Sequence, residues 1–370
     1  MSATSASIDT SIYPWKLDPQ LTPAVWGGDE LVTKYGKPGS PRAKLGESWE
    51  CWDENTVANG SLCGTSLSQL RTNLKNKFLG DLECSSIFPV LTKIITADDW
   101  LSVQVHPDDY YAQCHEHAPH GKTECWYVIA AVPHAEIVLG WTRETSREEY
   151  QRRVADGSLG EILRKVSVKA GDTVYIPAGT VHAIGPGIVV FETQQAGDLT
   201  YRMFDWNRVG LDGKPRDLHI QKAADVLNYR AADQATLLQI AYRHEDIEHK
   251  ALIADPRFSV EYIVAPETSI TLETLARPLI VTALEYALEL ACNGVTVALE
   301  PYETALIPAA SGSCSVRSKE RIAPFLFVTP PDSPNQLAIR LCESGIAQEQ
   351  ILAFMKQFAA RAHAAPVTQS

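Results

Sequence analysis

Histidines and a carboxylate in strand-like segments are the residues of this sequence best suited to chemistry. Gln104 and His106 alternate with valines, so in a β-strand both side chains project from the same face. Glu124 begins an apolar run, where a carboxylate is unusual for a core strand and reasonable for a ligand. His182 ends a segment, 171–182, whose glycines and proline predict a strand–turn–strand hairpin that points the histidine inward. Because imidazole nitrogens and carboxylate oxygens bind zinc and iron, these four residues together predict a metal site.

Two other interpretations of the histidines compete with this one. A single buried histidine is more often a hydrogen-bonded structural residue than a ligand, so His182 alone would carry little weight. His115, His117 and His120 form a second cluster, which we assign to a loop, 113–121, with no strand to fix it. A metal bound there would have to offset the cost of ordering its own ligands. The first set of residues is therefore favoured.

The segments around the favoured ligands are predicted to be short β-strands. They are rich in branched and aromatic residues and are bounded by Gly, Pro or Asp, which favours a sandwich or a barrel. The predicted strands are 88–95, 100–105, 123–131, 135–140, 166–168, 173–176 and 188–193.

Helical patterns interrupt and follow these strands. Ser66 is a predicted cap for a helix that ends at Gly80, and Ser146 caps a helical insertion, 147–165, that is broken at Asp156-Gly157. The Ala-rich segment 219–250 also has a helical pattern, and a second β-rich block extends from 258 to about 341. Residues 300–308 echo 169–177, which indicates an internal duplication. The segment 345–363 predicts a C-terminal amphipathic helix that packs on its own domain.

Composition limits the class of protein. A chain of 370 residues predicts two domains, and 33 Lys+Arg against 45 Asp+Glu give a net charge of −12, which disfavours nucleic-acid and membrane surfaces. The eight cysteines include no CxxC pair, which favours reduced thiols and a cytoplasmic location. We find neither a secretory signal in residues 1–12 nor an apolar run long enough to span a membrane.

The motifs of the first 220 residues resemble a known family. The two ligand segments resemble the paired motifs of the cupin superfamily, and a longer set resembles the type I mannose-6-phosphate isomerases of the short bacterial kind over about residues 13–220. The motifs that carry this resemblance are Trp-Gly-Gly at 26–28, Gly-Glu-Ser-Trp-Glu at 46–50, Pro-Val-Leu-Thr-Lys at 89–93, Val-Gln-Val-His-Pro-Asp-Asp at 103–109, Gly-Lys-Thr-Glu-Cys-Trp-Tyr at 121–127, Glu-Thr-Gln-Gln at 192–195 and Thr-Tyr-Arg-Met-Phe-Asp at 200–205.

The resemblance implies a mainly β fold of two cupin domains, that is, double-stranded β-helix or jelly-roll domains, with inserted helices. Residues 13–220 would form the catalytic, metal-binding cupin domain with helical insertions. Residues 221–343 would form a helical connector and a second cupin-like domain, and 344–370 the C-terminal helix and tail. Because no histidine lies between His249 and His363, we expect the second domain to bind no metal and to serve as a scaffold.

The resemblance also implies roles for individual residues. One Zn²⁺ per chain would be bound by His106, Glu124 and His182, with Gln104 at the fourth position. The essential arginine of the family falls on Arg202 and its candidate proton-transfer carboxylate on Glu192. Lys122, Lys93 and Ser102 match positions that face the sugar phosphate or the ring oxygens; we expect Lys122 to be catalytic and Lys93 and Ser102 to bind substrate.

Alternatives remain for three of these residues. Arg202 is close in sequence to Asp198 and Asp205 and could instead form a salt bridge with either. Glu192 follows an apolar run, where burial would raise its pKa towards that of a general base, but it could equally be a hydrogen-bond partner of a ligand histidine. Lys93 and Lys122 together could form the local basic patch that an acidic protein needs to bind a phosphate.

The residue types agree with an aldose–ketose isomerase that interconverts mannose 6-phosphate and fructose 6-phosphate through a cis-enediolate. Two imidazoles, one amide and one carboxylate leave a zinc site with a charge of +1, so the ion would still polarise sugar oxygens. Either Gln104 is displaced or the site becomes five-coordinate. Two His and one carboxylate also describe a non-haem iron dioxygenase, and a sugar-binding or sensing protein is a third possibility. We expect a small sugar phosphate as ligand and a monomer or a weak homo-oligomer.

Overall fold

The computed structural model describes residues 11–82, 86–231, 237–320, 322–330 and 334–362. Four antiparallel sheets dominate it, which confirms the mainly β fold predicted from the sequence. The predicted N-terminal segment up to residue 10, Cys84 and His363 lie outside the described residues. None of the helices described combines the length and the apolar character needed to cross a bilayer.

The first sandwich contains the predicted ligands. Its six-stranded sheet has the order β2-β3-β4-β11-β6-β9, and its five-stranded sheet has the order β12-β5-β10-β7-β8. The strands are β2 (Gln20–Gly28), β3 (Leu45–Cys51), β4 (Val90–Ala97), β5 (Val103–Val105), β6 (Glu124–Ala131), β7 (Glu136–Trp141), β8 (Leu163–Ser167), β9 (Thr173–Ile176), β10 (His182–Ile184), β11 (Ile188–Gln195) and β12 (Tyr201–Phe204).

The second sandwich follows the same plan with a seven-stranded sheet, β1-β20-β17-β22-β15-β14-β13, and a four-stranded sheet, β16-β21-β18-β19. Its strands are β1 (Trp15–Lys16), β13 (Ile240–His244), β14 (Ile247–Asp255), β15 (Phe258–Pro266), β16 (Ile270–Glu273), β17 (Leu279–Ala283), β18 (Leu288–Cys292), β19 (Val295–Leu299), β20 (Thr304–Ile307), β21 (Ser313–Ser318) and β22 (Ile322–Thr329). The N-terminal β1 therefore pairs with β20 near the C-terminal end of the chain, which ties the two sandwiches together.

Buried side chains arrange the sheets in four layers. One apolar cluster occupies part of the space between the six- and five-stranded sheets, and a second fills the space between the seven- and four-stranded sheets. The largest cluster joins the outer face of the six-stranded sheet, through Cys125 and Phe191, to the outer face of the seven-stranded sheet, through Ala254 and Leu326. The six-stranded sheet is thus buried on both faces, which holds its strands rigidly under the predicted site.

The helices of the structure are α1 (Glu30–Thr33), α2 (Leu67–Leu74), α3 (Asn76–Leu79), α4 (Asp109–Glu116), α5 (Arg147–Asp156), α6 (Ile220–Val226), α7 (Pro334–Glu343) and α8 (Gln348–Ala362). Helices α5 and α6 cover the outer face of the five-stranded sheet, α7 and α8 pack against the seven-stranded sheet, and the remaining helices lie in the connections between strands. Ser66 and Ser146 accept the backbone N–H groups predicted for helix caps, and α5 ends at Asp156 because Gly157 adopts a left-handed conformation. On α8, Phe358 packs edge-on against Tyr175 of β9, so the C-terminal helix also contacts the first sandwich.

Three local predictions were wrong, and a fourth was partly wrong, since the predicted helical insertion 147–165 forms strand β8 from Leu163 onwards. The Ala-rich segment 219–250 is helical only in α6 and forms β13 and most of β14 further on, because its apolar residues there pack on a sheet. The presumed hairpin before His182 is not one: β9 pairs with β6 and β10 pairs with β5 and β7, so the turn crosses between the two sheets. The presumed loop around His115 starts as α4, capped by Asp108.

Candidate metal centre and active site

Two facing rows of side chains form the candidate site, one on each sheet of the first sandwich. On the five-stranded sheet, Arg202, Gln104 and His182 are direct neighbours across β12, β5 and β10. On the six-stranded sheet, Lys93, Glu192 and Trp126 are direct neighbours across β4, β11 and β6. Residues opposite each other in antiparallel strands share a face, so the sheet registers alone bring residues distant in sequence together.

His106, Glu124 and His182 lie at one end of this space and form a compact, fully buried cluster. Their ligand atoms all lie within 4.8 Å of one another. His182 Nε2 is 3.3 Å from Glu124 Oε1, and His106 Nε2 is 3.4 Å from Glu124 Oε2. The first residue of β6 and the first residue of β10 thus meet the residue that follows β5.

The protonation states of the two imidazoles make this cluster suited to a cation. His106 Nδ1 lies 2.9 Å from the Leu199 carbonyl and His182 Nδ1 lies 2.8 Å from the Thr180 carbonyl. A carbonyl only accepts hydrogen bonds, so each Nδ1 carries the proton and each Nε2 presents a lone pair. Burial lowers the pKa of His106, with Lys122 adding to the effect, and lowers the pKa of His182 to about 3. Both rings are therefore neutral near pH 7.

The lone pairs of the two Nε2 atoms and of the Glu124 oxygens would be stabilised by a cation between them. Both Nε2 atoms and both Glu124 oxygens are buried without a hydrogen-bond partner, and they face one another. Ligand atoms bound at about 2.1 Å to a tetrahedral zinc ion would be about 3.4 Å apart, which matches the separations in this cluster. The residues therefore fit a metal ion, as their types predicted.

Gln104 lies in the wall of the same cavity. It is the direct neighbour of His182 in the β5–β10 ladder, and its side chain lines the cavity beside the cluster. An amide in this position can approach a bound ion or leave that place to a sugar oxygen. Its role as a fourth ligand therefore stays a prediction.

Two lysines are surrounded by carboxylates at the floor of the cavity. Lys122 Nζ lies 3.3 Å from Glu124 Oε2 and 3.4 Å from Asp198 Oδ1. Lys93 Nζ lies 3.4 Å from Glu47, 3.5 Å from Asp198 and 3.6 Å from Glu192. Although burial opposes their charge, these carboxylates raise the pKa of both lysines, so both are cationic at neutral pH.

Glu192 has the properties of a proton-transfer group. Burial, together with the charge of Glu124, raises its pKa to about 7. Its Oε2 accepts a hydrogen bond of 2.9 Å from the Trp126 indole N–H, and its Oε1 is 3.6 Å from Lys93 Nζ. The two ligand histidines are oriented by backbone carbonyls instead, so the alternative role of Glu192 as their partner has no contact to support it among the residues described.

Arg202 lines the cavity from the other sheet, opposite the lysines. Its Nη1 donates to the Asp217 carbonyl at 2.9 Å, and its Nε is buried without a hydrogen-bond partner. The alternative salt bridges do not occur among the described residues, since Asp198 pairs with the two lysines and Asp205 pairs with other arginines. Burial and the nearby Arg216 lower the pKa of Arg202, which nevertheless stays charged.

A cavity of about 530 Å³ is lined by the predicted residues Lys93, Ser102, Gln104, Lys122, Glu192 and Arg202. The cluster of His106, Glu124 and His182 lies directly behind this lining, in contact with Lys122 and Trp126 and beside Gln104. Glu47, Trp126, Asp198 and Arg216 are among the lining residues that sequence reasoning did not assign to the site. Two of them carried a usable signal. Trp126 lies two residues after Glu124, on the same face of β6, and Glu47 sits in a quoted family motif.

Comparisons with known proteins agree with this arrangement. The family model described as phosphomannose isomerase type I, catalytic domain, matches residues 15–128. A mannose-6-phosphate isomerase of Streptococcus mutans is 40% identical over 294 residues, covering 78% of this chain and 89% of that protein. The crystal structure of a mannose 6-phosphate isomerase of Bacillus subtilis, 30% identical, superposes with a TM-score of 0.76 and covers 85% of this chain and 99% of that one. A zinc-bound mannose 6-phosphate isomerase, 14% identical, has the same fold, with a TM-score of 0.69 over 86% of this chain and 100% of that one.

Proposed function

Since the chain belongs to the type I phosphomannose isomerase family, whose members are aldose–ketose isomerases, we propose that it interconverts mannose 6-phosphate and fructose 6-phosphate with one Zn²⁺ per chain. The observation that carries the proposal is the convergence of His106, Glu124 and His182 atoms that lack hydrogen-bond partners, beside a buried carboxylate whose pKa lies near neutrality. A zinc-bound relative supports the choice of metal.

Zinc would be held by His106, Glu124 and His182, with Gln104 as a fourth ligand that a sugar oxygen can replace. When bound, the ion would supply positive charge that polarises the carbonyl and hydroxyl oxygens of the open-chain sugar. This charge would also satisfy the lone pairs that face one another in the cluster.

The remaining residues of the cavity can carry out proton transfer. Glu192 removes the proton from C2 of the open-chain aldose, and the electrons of that bond pass into a cis-enediolate. The same carboxylic acid then returns the proton to C1, while a proton moves between O1 and O2, so that the ketose is formed without net change. A pKa of about 7 suits a group that must take and give a proton at neutral pH.

Cationic groups on both sides of the cavity would stabilise the negative charge of the enediolate. Arg202 has a buried Nε–H without a partner, and Lys122 is held protonated by its carboxylate neighbours. Donors that are already in place cost no reorganisation during the reaction. Lys93 and Ser102 would bind sugar hydroxyls, as both line the same cavity.

A coupled assay for fructose 6-phosphate formed from mannose 6-phosphate tests this proposal. We expect turnover by zinc-loaded protein, loss of turnover after removal of the metal with a chelator, and recovery on addition of Zn²⁺. No turnover by folded, zinc-loaded protein would contradict the proposal and favour another sugar phosphate or a binding function. O₂ consumption with Fe²⁺ would favour the dioxygenase alternative.

A further inference from the structure

The charged residues at the floor of the cavity leave no positive charge for a phosphate group. Lys93 and Lys122 are almost fully buried, and between them they contact Glu47, Glu124, Glu192 and Asp198. Two lysines against four carboxylates give a charge of up to −2, which a divalent ion would offset. With the ion bound and all four carboxylates ionised, this group is neutral and offers no surplus positive charge to attract a phosphate dianion, since both lysines are already engaged by the carboxylates.

The opposite wall of the cavity has a different charge distribution. It is built by a hairpin whose two sides meet at Val209 and Pro215 and whose turn is closed by a 2.7 Å hydrogen bond from Gly210 N–H to the Lys214 carbonyl. Gly210, Leu211 and Arg216 of this hairpin line the cavity, together with Arg202. Unlike the lysines, Arg216 keeps about a quarter of its side chain exposed.

Asp205 fixes the orientation of Arg216. Arg216 donates from Nε to Oδ2 at 2.7 Å and from Nη2 to Oδ1 at 2.6 Å, and Arg208 donates to the same carboxylate from Nη2 at 2.9 Å. Asp205 is thus shared by two arginines, and Arg208 also contacts Asp99, with 3.3 Å between its Nη1 and Oδ2. Because Arg202 forms no ion pair among the described residues, this side of the cavity has three arginines against these two aspartates. The guanidinium group of Arg216 donates to Asp205 from Nε and Nη2, so its Nη1 remains available to donate to a ligand. Asp212, which also lines the cavity, accepts a bond from the Lys214 backbone within the hairpin.

We propose that Arg216 binds the phosphate group of the substrate and thereby determines the preference for a phosphorylated sugar. The inference rests on the proposed function, because it assumes that C1 and C2 of the sugar lie at the metal end of the cavity. The phosphate is carried at the opposite end of the hexose chain. Arg216 is held by Asp205, which follows the edge strand β12, and β12 is separated from His182 on β10 by β5. Its planar guanidinium, held in place by Asp205, forms strong charge-assisted hydrogen bonds to phosphate oxygens.

Arg216→Gln tests the proposal, with Arg71→Gln as its matched control. Arg71 on α2 is exposed to a similar extent and also forms a two-pronged ion pair with a buried aspartate, Asp53, but it does not line the cavity. In Arg216→Gln the Asp205 carboxylate still has Arg208 as a partner, so the variant should fold. The quantities to measure are KM and kcat for mannose 6-phosphate and the inhibition constant of inorganic phosphate.

We expect Arg216→Gln to raise both KM and the inhibition constant of phosphate about 10- to 100-fold, the range of a lost charge-assisted hydrogen bond, while kcat changes less than about threefold. Arg71→Gln should change none of the three. Unchanged KM and phosphate inhibition, or a fall in kcat at unchanged KM, would overturn the proposal. Should Arg216→Gln fail to fold, Arg216→Met keeps the aliphatic stem without the charge, and a phosphate inhibition constant equal to that of the native enzyme would likewise overturn the proposal.

Calorimetric titration with inorganic phosphate separates this proposal from the proposed function. Metal-loaded native protein should bind phosphate more tightly than Arg216→Gln even if mannose 6-phosphate is not its substrate. Turnover by the native protein with equal phosphate affinities in both proteins would leave the isomerase function intact and refute the role of Arg216.

Discussion

The two sandwiches share an architecture but differ in what fills them. Between the sheets of the second sandwich lies an apolar cluster that includes Val281, Leu290 and Phe325. In the first sandwich an apolar cluster fills only part of the space, and the rest is a cavity with charged walls. The same fold can thus bury apolar area for stability or keep a polar cavity, at the cost of that stability, for a ligand.

Two buried glutamates make the difference quantitative. Glu192 in the first sandwich has its pKa raised to about 7 by burial and by the neighbouring Glu124. Glu261 in the second sandwich is equally buried, yet the charge of Arg340, the nearby His249 and a hydrogen bond from the Tyr242 hydroxyl outweigh burial and lower its pKa to about 2. A carboxylate with a satisfied charge is structural, whereas one whose charge is destabilised can exchange protons near pH 7.

The largest effect should come from removing a metal ligand. We expect His182→Ala to lose bound zinc and to lower kcat/KM by about 1000-fold or more, since changing only the partners of metal ligands already costs 10- to 100-fold. Metal content by atomic absorption and the coupled assay measure this. His249→Ala removes a mostly buried histidine of the second sandwich and should keep both metal and turnover. Full zinc content in His182→Ala would show that the cluster is not the metal site.

The next effect should come from Glu192→Gln, with Glu261→Gln as its counterpart in the second sandwich. We expect Glu192→Gln to lower kcat by about 10²- to 10⁴-fold, the usual contribution of a general base. In the native enzyme kcat/KM should rise as pH increases through about 7, because the base must be ionised, and this limb should vanish in the variant. A native pH profile and near-native kcat in Glu192→Gln would assign the base elsewhere.

Glu261→Gln should instead change stability and leave the pH profile of catalysis alone. The folded pKa of Glu261, about 2, lies below the value of an unfolded glutamate, so its ionised form stabilises the fold above pH ~4 and this contribution is lost as pH falls towards 2. The variant should therefore be destabilised at neutral pH but not below pH 2. Denaturation midpoints at the two pH values measure this, and equal destabilisation at both would contradict it.

Leu290→Ala tests whether the apolar cluster of the second sandwich contributes only to stability. Leu290 on β18 is fully buried in the apolar cluster of the second sandwich. Its truncation should cost about 2–5 kcal/mol of unfolding free energy and leave kcat and zinc content unchanged at 25 °C. Urea denaturation followed by the coupled assay on the folded variant measures both. A loss of kcat in proportion to stability would mean that the second sandwich is more than a scaffold.

Much of the fold and of the candidate site could be predicted from the sequence, because the proposed ligands lie close to strands whose apolar and polar residues alternate clearly. β9 spans the predicted residues, and Gln104, Glu124 and His182 lie at or near strand ends, where the period of two decides their direction. The family motifs added Arg202 and Glu192, whose side chains the structure places in the same cavity.

The features that could not be predicted from the sequence depend on tertiary contacts. The segment after α6 has helical propensity but pairs as β13 and β14, because packing against a sheet overrides propensity. Asp198 forms ion pairs with Lys93 and Lys122, which are distant in the sequence. Arg216 forms its ion pair with Asp205, across a hairpin. No local pattern reports such pairings.

The smallest effect on kcat that we expect concerns Trp126, which contacts both the proposed general base Glu192 and the proposed metal ligand His182. Its indole N–H donates to Glu192 Oε2 at 2.9 Å, and its ring packs edge-on against His182 with the ring centroids 5.6 Å apart. Trp126→Phe keeps a ring beside His182 but removes the donor, so Glu192 loses its orientation. We expect kcat to fall about tenfold with zinc content and KM unchanged, the size of one lost hydrogen bond to a charged group.

Trp141→Phe provides the control, because Trp141 is a buried indole of the same sandwich whose N–H donates at 2.8 Å to the Asn228 carbonyl. It should lose stability without a specific loss of kcat. If Trp126 acts through Glu192, Trp126→Phe should cause no further loss of kcat in the Glu192→Gln background, since the group that it orients is already gone. If the losses of kcat add up in the double variant, Trp126 acts instead on the metal cluster, through its contact with His182. The carboxylate and the metal site would then be independent parts of the cavity.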